Sequence, residues 1–435
     1  MNKLLKSSVL AAVILLPQLA NGQSEITLGA QYKPRYEYRN GFKAPILEDQ
    51  NPASFVEQRA RLWANFQNEK YQIHINLQDV RMWGSTDQIY KTDPSLFNAY
   101  EAYAAYFFNS KWSFTVGRQA WDYDNARFLG NLDWAMQGRS HDGLLFKYNN
   151  QQSNFQLHFG GAYNQFQNEP SYLIQNPYAN KNYKNMVFVW LNKDWGALDV
   201  SFLLHNDGQE NNAGTQIVEY HRQTIAAIPS YHAESFDLTG EFYYQFGKNK
   251  ATQDVSAYFV SAYATFKTKL TPITIGAELA SGTAYNAAAD VDNSWNPLYG
   301  TNHKFYGYMD YFYVGNFHGQ AAGRPSGLID INLKTNFKLN DKNTIALHVH
   351  QFISPVEVND MLNPQNTLSS NLGTEVDLVY GLLLTKGVNL NVGYSQMFIT
   401  DSMKNIKGIA GQTTGMNNWA WVQLNFNGDL FTFKK

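Results

Sequence analysis

The chain contains no cysteine among its 435 residues. That excludes a disulfide framework, thiolate metal ligands, cysteine nucleophiles and a lipid-modified N-terminal cysteine. Charge is scarce as well: Asp, Glu, Lys and Arg make up 16% of the chain, against roughly 25% in ordinary soluble domains. What charge there is balances, with Lys+Arg 34 against Asp+Glu 36 and a formal net charge of −2. No single-sign field draws the chain to nucleic acid, and none is expected as a partner. Long apolar runs are missing too: after Gly22 no stretch approaches the ~20 consecutive apolar residues of a transmembrane helix. In place of charge stand aromatic, amide and glycine residues, including 28 Tyr, 28 Phe, 10 Trp and 31 Gly. This composition points away from a cytosolic helical enzyme.

The N-terminus explains the compartment. Lys3 and Lys6 precede the apolar stretch 9–16, and Ala20-Asn21-Gly22 offers small residues at a cleavage site. Residues 1–22 therefore read as a secretory signal peptide, too short to span a bilayer as a helix. Its removal takes Lys+Arg from 34 to 32 against 36 acids, a mature net charge of −4 (32 − 36).

From there to the end one pattern holds: segments of about ten residues alternate apolar and polar side chains, separated by polar breaks. In 236–247, Phe236, Leu238, Phe242, Tyr244 and Phe246 share one face, and Asp237, Thr239, Glu241, Tyr243 and Gln245 the other. About eighteen such segments run from 25–39 to 418–430, among them 196–207 and 217–228 with a polar break between them. Their connections alternate in length. Asn68-Glu69-Lys70, Asn109-Ser110-Lys111, Asn340-Asp341-Lys342 and Lys386-Gly387 are tight turns, whereas 40–53, 84–96, 123–142, 165–185, 283–326, 354–372 and 401–417 are long and polar. Short turns on one rim and long loops on the other belong to a closed antiparallel transmembrane β-barrel, with turns in the periplasm and loops outside the cell.

The faces agree. Glu57, Arg59 and Arg61 share a face opposite Val56, Ala60 and Leu62, and Glu375 and Asp377 share one opposite Val376 and Leu378. Mid-strand charge is costly in a dry core and tolerable along a water-filled lumen. Tyr and Trp suit the interfacial girdles. Although the length would hold about three ordinary domains, no linker or repeat divides residues 23–435, which are expected to form one outer-membrane barrel.

Two blocks carry more than generic patterning. One runs Val116-Gly117-Arg118-Gln119, Arg127-Phe128-Leu129-Gly130-Asn131-Leu132-Asp133-Trp134 and Gly138-Arg139-Ser140-His141-Asp142; the other is His303-Lys304-Phe305-Tyr306-Gly307. Both resemble the alginate-export family of outer-membrane proteins. The resemblance implies an eighteen-stranded monomeric barrel passing anionic polysaccharide through a lumen narrowed by arginines. By motif it nominates Arg118, Arg127 and Arg139 for the constriction, with Asp133 and Asp142 as their ion-pair partners. Arginine's planar fork holds carboxylates in pairs, so such a cluster would favour acidic sugars while the loop 122–142 narrows the pore. The chain departs from the pattern in its near-neutral charge, with Glu57, Glu101, Asp330, Glu375 and Asp377 standing beside Arg59, Arg61 and Lys334.

Plainer readings stand beside these. For the three arginines an ion-pair network pinning the inner loop to the wall stands equal beside selectivity, and Arg59 and Arg61 with Glu57 read first as a wall network. His348 and His350 sit one residue apart on a strand, but no third metal ligand follows at useful spacing. Asp122 and Asp124 lack a calcium-loop pattern, and His303-Lys304-Phe305 is expected to pack a loop. No Gly-x-Ser-x-Gly elbow, His-Glu-x-x-His helix or phosphate-binding glycine loop occurs. The expectation is therefore a non-enzymatic outer-membrane channel for anionic polysaccharide or oligosaccharide, contacting lipid and requiring neither cofactor nor metal. The alternatives are a less selective porin for small solutes and a soluble periplasmic glycan-binding protein.

Overall fold

Strand formation follows the alternation read from the sequence. The computed structural model describes residues 24–85, 97–165, 178, 183–213, 216–312 and 325–435, and the expected signal peptide at 1–22 lies outside them. The barrel strands are β1 (Ser24–Asn40), β2 (Ala53–Asn68), β3 (Tyr71–Met82), β4 (Phe97–Phe107), β5 (Trp112–Gln119) and β6 (His141–Asn150). They continue as β7 (Phe155–Tyr163), β8 (Asn185–Asp194), β9 (Leu198–Ala213), β10 (Gln216–His232), β11 (Phe236–Lys248) and β12 (Asp254–Lys267). The last six are β13 (Pro272–Ala280), β14 (Leu328–Lys338), β15 (Asn343–Ile353), β16 (Asn371–Thr385), β17 (Val388–Ile399) and β18 (Asn417–Lys434). Each pairs antiparallel with its neighbour, and β18 closes on β1 from Asn40↔Asn418 to Glu25↔Lys434. The result is a closed eighteen-stranded barrel.

The tight turns are built by a repeated device. Asn68 Oδ1 accepts from the backbone N–H groups of Lys70 and Tyr71 at 2.8 and 2.9 Å. Asn109 does the same for Lys111 and Trp112, and Asn340 for Lys342 and Asn343. An Asn side chain that imitates a backbone turn explains why Asn opens each of these reversals. On the opposite rim one expectation needs correcting. The break foreseen between 207 and 217 is paired backbone, with β9 and β10 in register out to Ala213↔Gln216. The Gln, Glu and Asn residues there had hidden the strands, because beyond the apolar band no lipid demands alternation.

Sidedness is clear. Leu28, Tyr32, Tyr36, Leu62, Ile73, Ile75, Leu144, Phe242, Ile331 and Leu378 are exposed on the outer wall. On the alternate positions Lys33, Arg35, Glu37, Arg59, Asp330, Glu375 and Asp377 are buried inside. The lumen is not an empty pipe. Segments 120–140 and 281–312 fold into it, and Trp121, Phe128, Leu129, Tyr299, Phe305, Met309 and Tyr311 join wall residues such as Phe188, Phe259 and Trp419 in a hydrophobic cluster rich in aromatic rings.

A short helix, α1 (Asp401–Ile406), capped by the Thr400 hydroxyl accepting from Met403 N at 3.2 Å, leads to Lys407. The Lys407 ammonium donates to the Tyr311 carbonyl. Burial pushes its pKa down from 10.5 to about 7, with Lys43 acting in the same direction and Asp310 against it. Between those values the unfolded chain holds the extra proton, so stability rises as pH increases from about 7 towards 10.5. Lys407→Met is expected to flatten that rise, as measured by thermal unfolding in detergent over an alkaline pH series.

Candidate functional site

The two inward segments are tied to each other before they are tied to the wall. Leu129 and Tyr299 form a parallel bridge, and Gly130 N donates to Tyr299 O at 3.0 Å. Thr301 N donates to Ala126 O at 2.8 Å, and Leu132 N to Thr301 Oγ1 at 3.0 Å. The approach is so close that a Cβ on Gly300 would stand 2.0 Å from the Arg127 carbonyl oxygen, which makes glycine obligatory there. Trp134 stacks on His303 with centroids 4.3 Å apart, and His303 Nδ1 lies 2.7 Å from Asp310 Oδ1. The two sequence blocks that stood out from the strand pattern thus meet face to face in the lumen.

Asp133 and Trp134 present this joined plug to a basic wall. Lys33 and Arg35 of β1 and Arg59 and Arg61 of β2 occupy consecutive inward positions, brought side by side by the register Lys33↔Arg59 and Gln31↔Arg61. Asp133 lies 3.6 Å from Lys33 Nζ, 2.9 Å from Arg59 Nη2 and 3.2 Å from Arg61 Nη1. Arg35 places its guanidinium 4.0 Å over the Trp134 ring. Arg61 stacks on Tyr100 at 3.6 Å and holds Gln78, while Arg59 holds Gln31. Glu37 and Glu57 complete the network as partners of Arg35. Burial raises the Asp133 carboxyl, but the fields of Lys33, Arg59 and Arg61 outweigh it and hold it below the usual carboxylate range. Its side chain is still 50% exposed.

The arginines nominated by motif have three different fates. Arg127 is fully buried and bound on all sides. Its Nε lies 3.0 Å from Glu241 Oε2, and Nη1 and Nη2 grip Glu278 at 2.8 and 3.0 Å. Its plane lies over Phe305 at 3.7 Å. This is a clamp fastening the plug to β11 and β13, closed to any solute. Arg139 donates to the carbonyl oxygens of Tyr299 and Gly300, and so ties segment to segment.

Arg118 and Asp142 form a two-pronged pair at 2.8 and 2.6 Å, but on the wrong face for a constriction. Arg118 has the strand parity of Trp112 and Val116, and Asp142 that of Leu144 and Phe146, all exposed on the outer wall. Thr115, Gln119 and His141, buried inside, hold the alternate positions. The pair belongs to the barrel exterior near the long-loop rim. Arg118→Ala is accordingly expected to leave conductance unchanged and to shift stability by no more than about 1 kcal/mol, checked by bilayer recording and thermal unfolding. Lys33, Arg35 and Glu37 were not singled out from sequence, although the run Gln31, Lys33, Arg35, Glu37 against Tyr32, Pro34, Tyr36 marks them by alternation.

Further round the wall, three to five strands from β1, the sign changes. Asp330 of β14 and Glu375 and Asp377 of β16 are buried. Glu375 Oε1 accepts from Met309 N at 2.7 Å, and Asp377 Oδ2 from Tyr308 N at 3.4 Å. Gly307 has φ +78, and a Cβ there would stand 2.5 Å from the Glu375 carboxylate. The plug therefore rests on cations at β1–β2 and on carboxylates at β14 and β16.

Comparison with known proteins agrees with this architecture. The profile of the Alginate export family matches residues 24–417. No curated protein matches the chain. Among solved structures, Pseudomonas aeruginosa OccK9 (OpdG) is similar with a TM-score of 0.61 and 10% identity, covering 93% of this chain and 98% of that one. Acinetobacter baumannii OccAB1 gives 0.59 and 10%, covering 93% and 97%. Pseudomonas aeruginosa OpdK, solved with vanillate, gives 0.56 and 7%, covering 95% and 99%.

Proposed function

The chain belongs to the alginate export family of outer-membrane channel-type barrels, and from that premise we propose that it passes anionic polysaccharide or oligosaccharide through its lumen. The observation that carries this reading is the convergence of Lys33, Arg59 and Arg61 on one half-exposed carboxylate, Asp133, borne by a loop rather than by the wall. A uronate presents the same group. Arginine forks bind carboxylates in a geometry that a passing sugar acid can share, and a narrow, partly dry lumen strengthens the attraction. In this reading the constriction is the β1–β2 wall, with Arg35 beside it, and Asp133 holds the place that cargo carboxylates take in turn. The barrel works as a monomer, with residues 1–22 as its export signal and 23–435 as its single domain. Reversal potentials under a salt gradient test it: anion preference and block by oligouronates are expected, and cation preference or indifference to oligouronates would overturn it.

A second reading is a less selective porin for small solutes. The acidic wall of Asp330, Glu375 and Asp377 favours it, because a lumen with both signs discriminates weakly between them. The solved OpdK structure holds vanillate, a small aromatic carboxylate. Liposome swelling in which neutral sugars enter freely, with no change on Arg61→Ala, would select this reading.

A further inference from the structure

We infer that the acidic side of the lumen carries a binding site for one divalent transition-metal ion of the zinc type, formed by His348, His350 and Asp377. Sequence spacing shows only the two histidines. The strand register supplies the third ligand: Asp377 of β16 lies directly opposite His348 of β15, and Glu375 opposite His350. One donor atom from each of His348, His350 and Asp377 lies within 4.8 Å of the others, and His350 Nε2 is 4.0 Å from Asp377 Oδ2. Small side-chain rotations bring such atoms to the roughly 3.3 Å separations that tetrahedral bonds of about 2.0–2.1 Å require.

The surroundings are those of a built metal site. His350 Nδ1 lies 2.8 Å from Asp330 Oδ2, which fixes the ring and turns the Nε2 lone pair towards Asp377. A carboxylate behind a ligating imidazole is the usual outer support of a bound metal. Ser395 Oγ donates to Asp377 Oδ1 at 2.5 Å, orienting that carboxylate in the same way.

Charge supports the assignment independently. Asp330 and Glu375 are fully buried, and Asp330 Oδ1, Glu375 Oε2 and Asn332 Oδ1 accept no hydrogen bond. Among the described residues no Lys or Arg forms an ion pair with Asp330, Glu375 or Asp377. Lys334, the register partner of His348 on β14, has its ammonium 5.8 Å from the Tyr263 ring, and its charge also reaches His348. Besides His350, which faces both Asp330 and Asp377, this buried acidic group has little counter-charge, an expensive arrangement, and a divalent ion adds it. Two imidazoles with one carboxylate select borderline metals over calcium or magnesium. Bound there, the ion would brace β15 to β16 beneath the backbone of Tyr308 and Met309.

The test uses the full chain in detergent, stripped with chelator and titrated calorimetrically with zinc sulfate. Cobalt(II), read by visible absorption, serves as the spectroscopic probe. One zinc per chain is expected, with cobalt bands of a four- or five-coordinate imidazole site. The His348 side chain is half-buried, packs on Tyr308 at 5.3 Å and makes no side-chain hydrogen bond among the described residues, so His348→Ala is expected to keep the fold. It is expected to weaken zinc binding by at least about tenfold and abolish the cobalt bands. His232→Ala, at the exposed short-turn rim, is expected to change neither. No binding at millimolar zinc, or binding undiminished in His348→Ala, would overturn the assignment.

Discussion

Arg127→Ala is expected to lower the stability of the barrel by about 3–5 kcal/mol, the usual consequence of removing one partner from a buried ion pair. The side chain is fully buried, and its loss strands Glu241 and Glu278, both shielded from water, without a counter-charge. It also removes the cation stacked on Phe305 and the donor to Tyr306. These contacts fasten segments 120–140 and 281–312 to β11 and β13, so conductance is expected to rise as stability falls. Thermal unfolding and single-channel recording on one preparation measure both. Arg127→Leu combined with Glu241→Gln and Glu278→Gln is expected to recover most of the stability, because the stranded charges are gone. An unchanged melting temperature in Arg127→Ala would show that water reaches this cluster.

Arg59→Ala with Arg61→Ala is expected to abolish anion preference. A unit charge at 4 Å contributes about 1 kcal/mol in bulk water and more in a confined lumen, so removing two reduces anion entry on the order of tenfold or more. Asp133 would lose two of its three cations, keeping Lys33. Reversal potentials are expected to move towards cation selectivity, with oligouronate block lost. Asp133→Asn is expected to act oppositely, tightening block by leaving the wall's charge unopposed. If the double variant keeps the parent's selectivity, the β1–β2 wall does not set it.

The strands and their sidedness were legible because lipid imposes a period of two on every crossing. In 236–247 the outer and lumen sets fall where alternation puts them, and the Asn-led turns announce the short rim. Legibility ended where the lipid ended. The β9–β10 hairpin above the apolar band was read as a break, since its Asn, Gln and Glu residues carry no alternation. Arg118 shows a different failure: motif resemblance placed it in the lumen, while its parity with Trp112, Phe114 and Val116 placed it outside. Periodicity is the stronger physical guide within a strand, because backbone pleating decides which way a side chain points. For Arg127 and Arg139 no local signal existed. The partners that join segment to wall or segment to segment lie more than 100 residues away, as with the 114 between Arg127 and Glu241 and the 161 between Arg139 and Gly300, and only the fold of the plug brings them together. The residues of the proposed metal site were partly visible, two on one strand and the third concealed until register joined the next.

The seam between β1 and β18 has a consequence for biogenesis. Its hydrogen-bonding edges, matched from Asn40↔Asn418 to Glu25↔Lys434, belong to the two barrel strands farthest apart along the chain. Until both are in place, the incomplete sheet exposes two unsatisfied borders, each a template for wrong partners. Closure is the contact with the greatest loop entropy to overcome, so it falls at the end of assembly. Trimming β18 back to Asn425 would leave a chain still rich in hairpins yet permanently unsealed, and cellular quality control rather than loss of transport would be its first symptom.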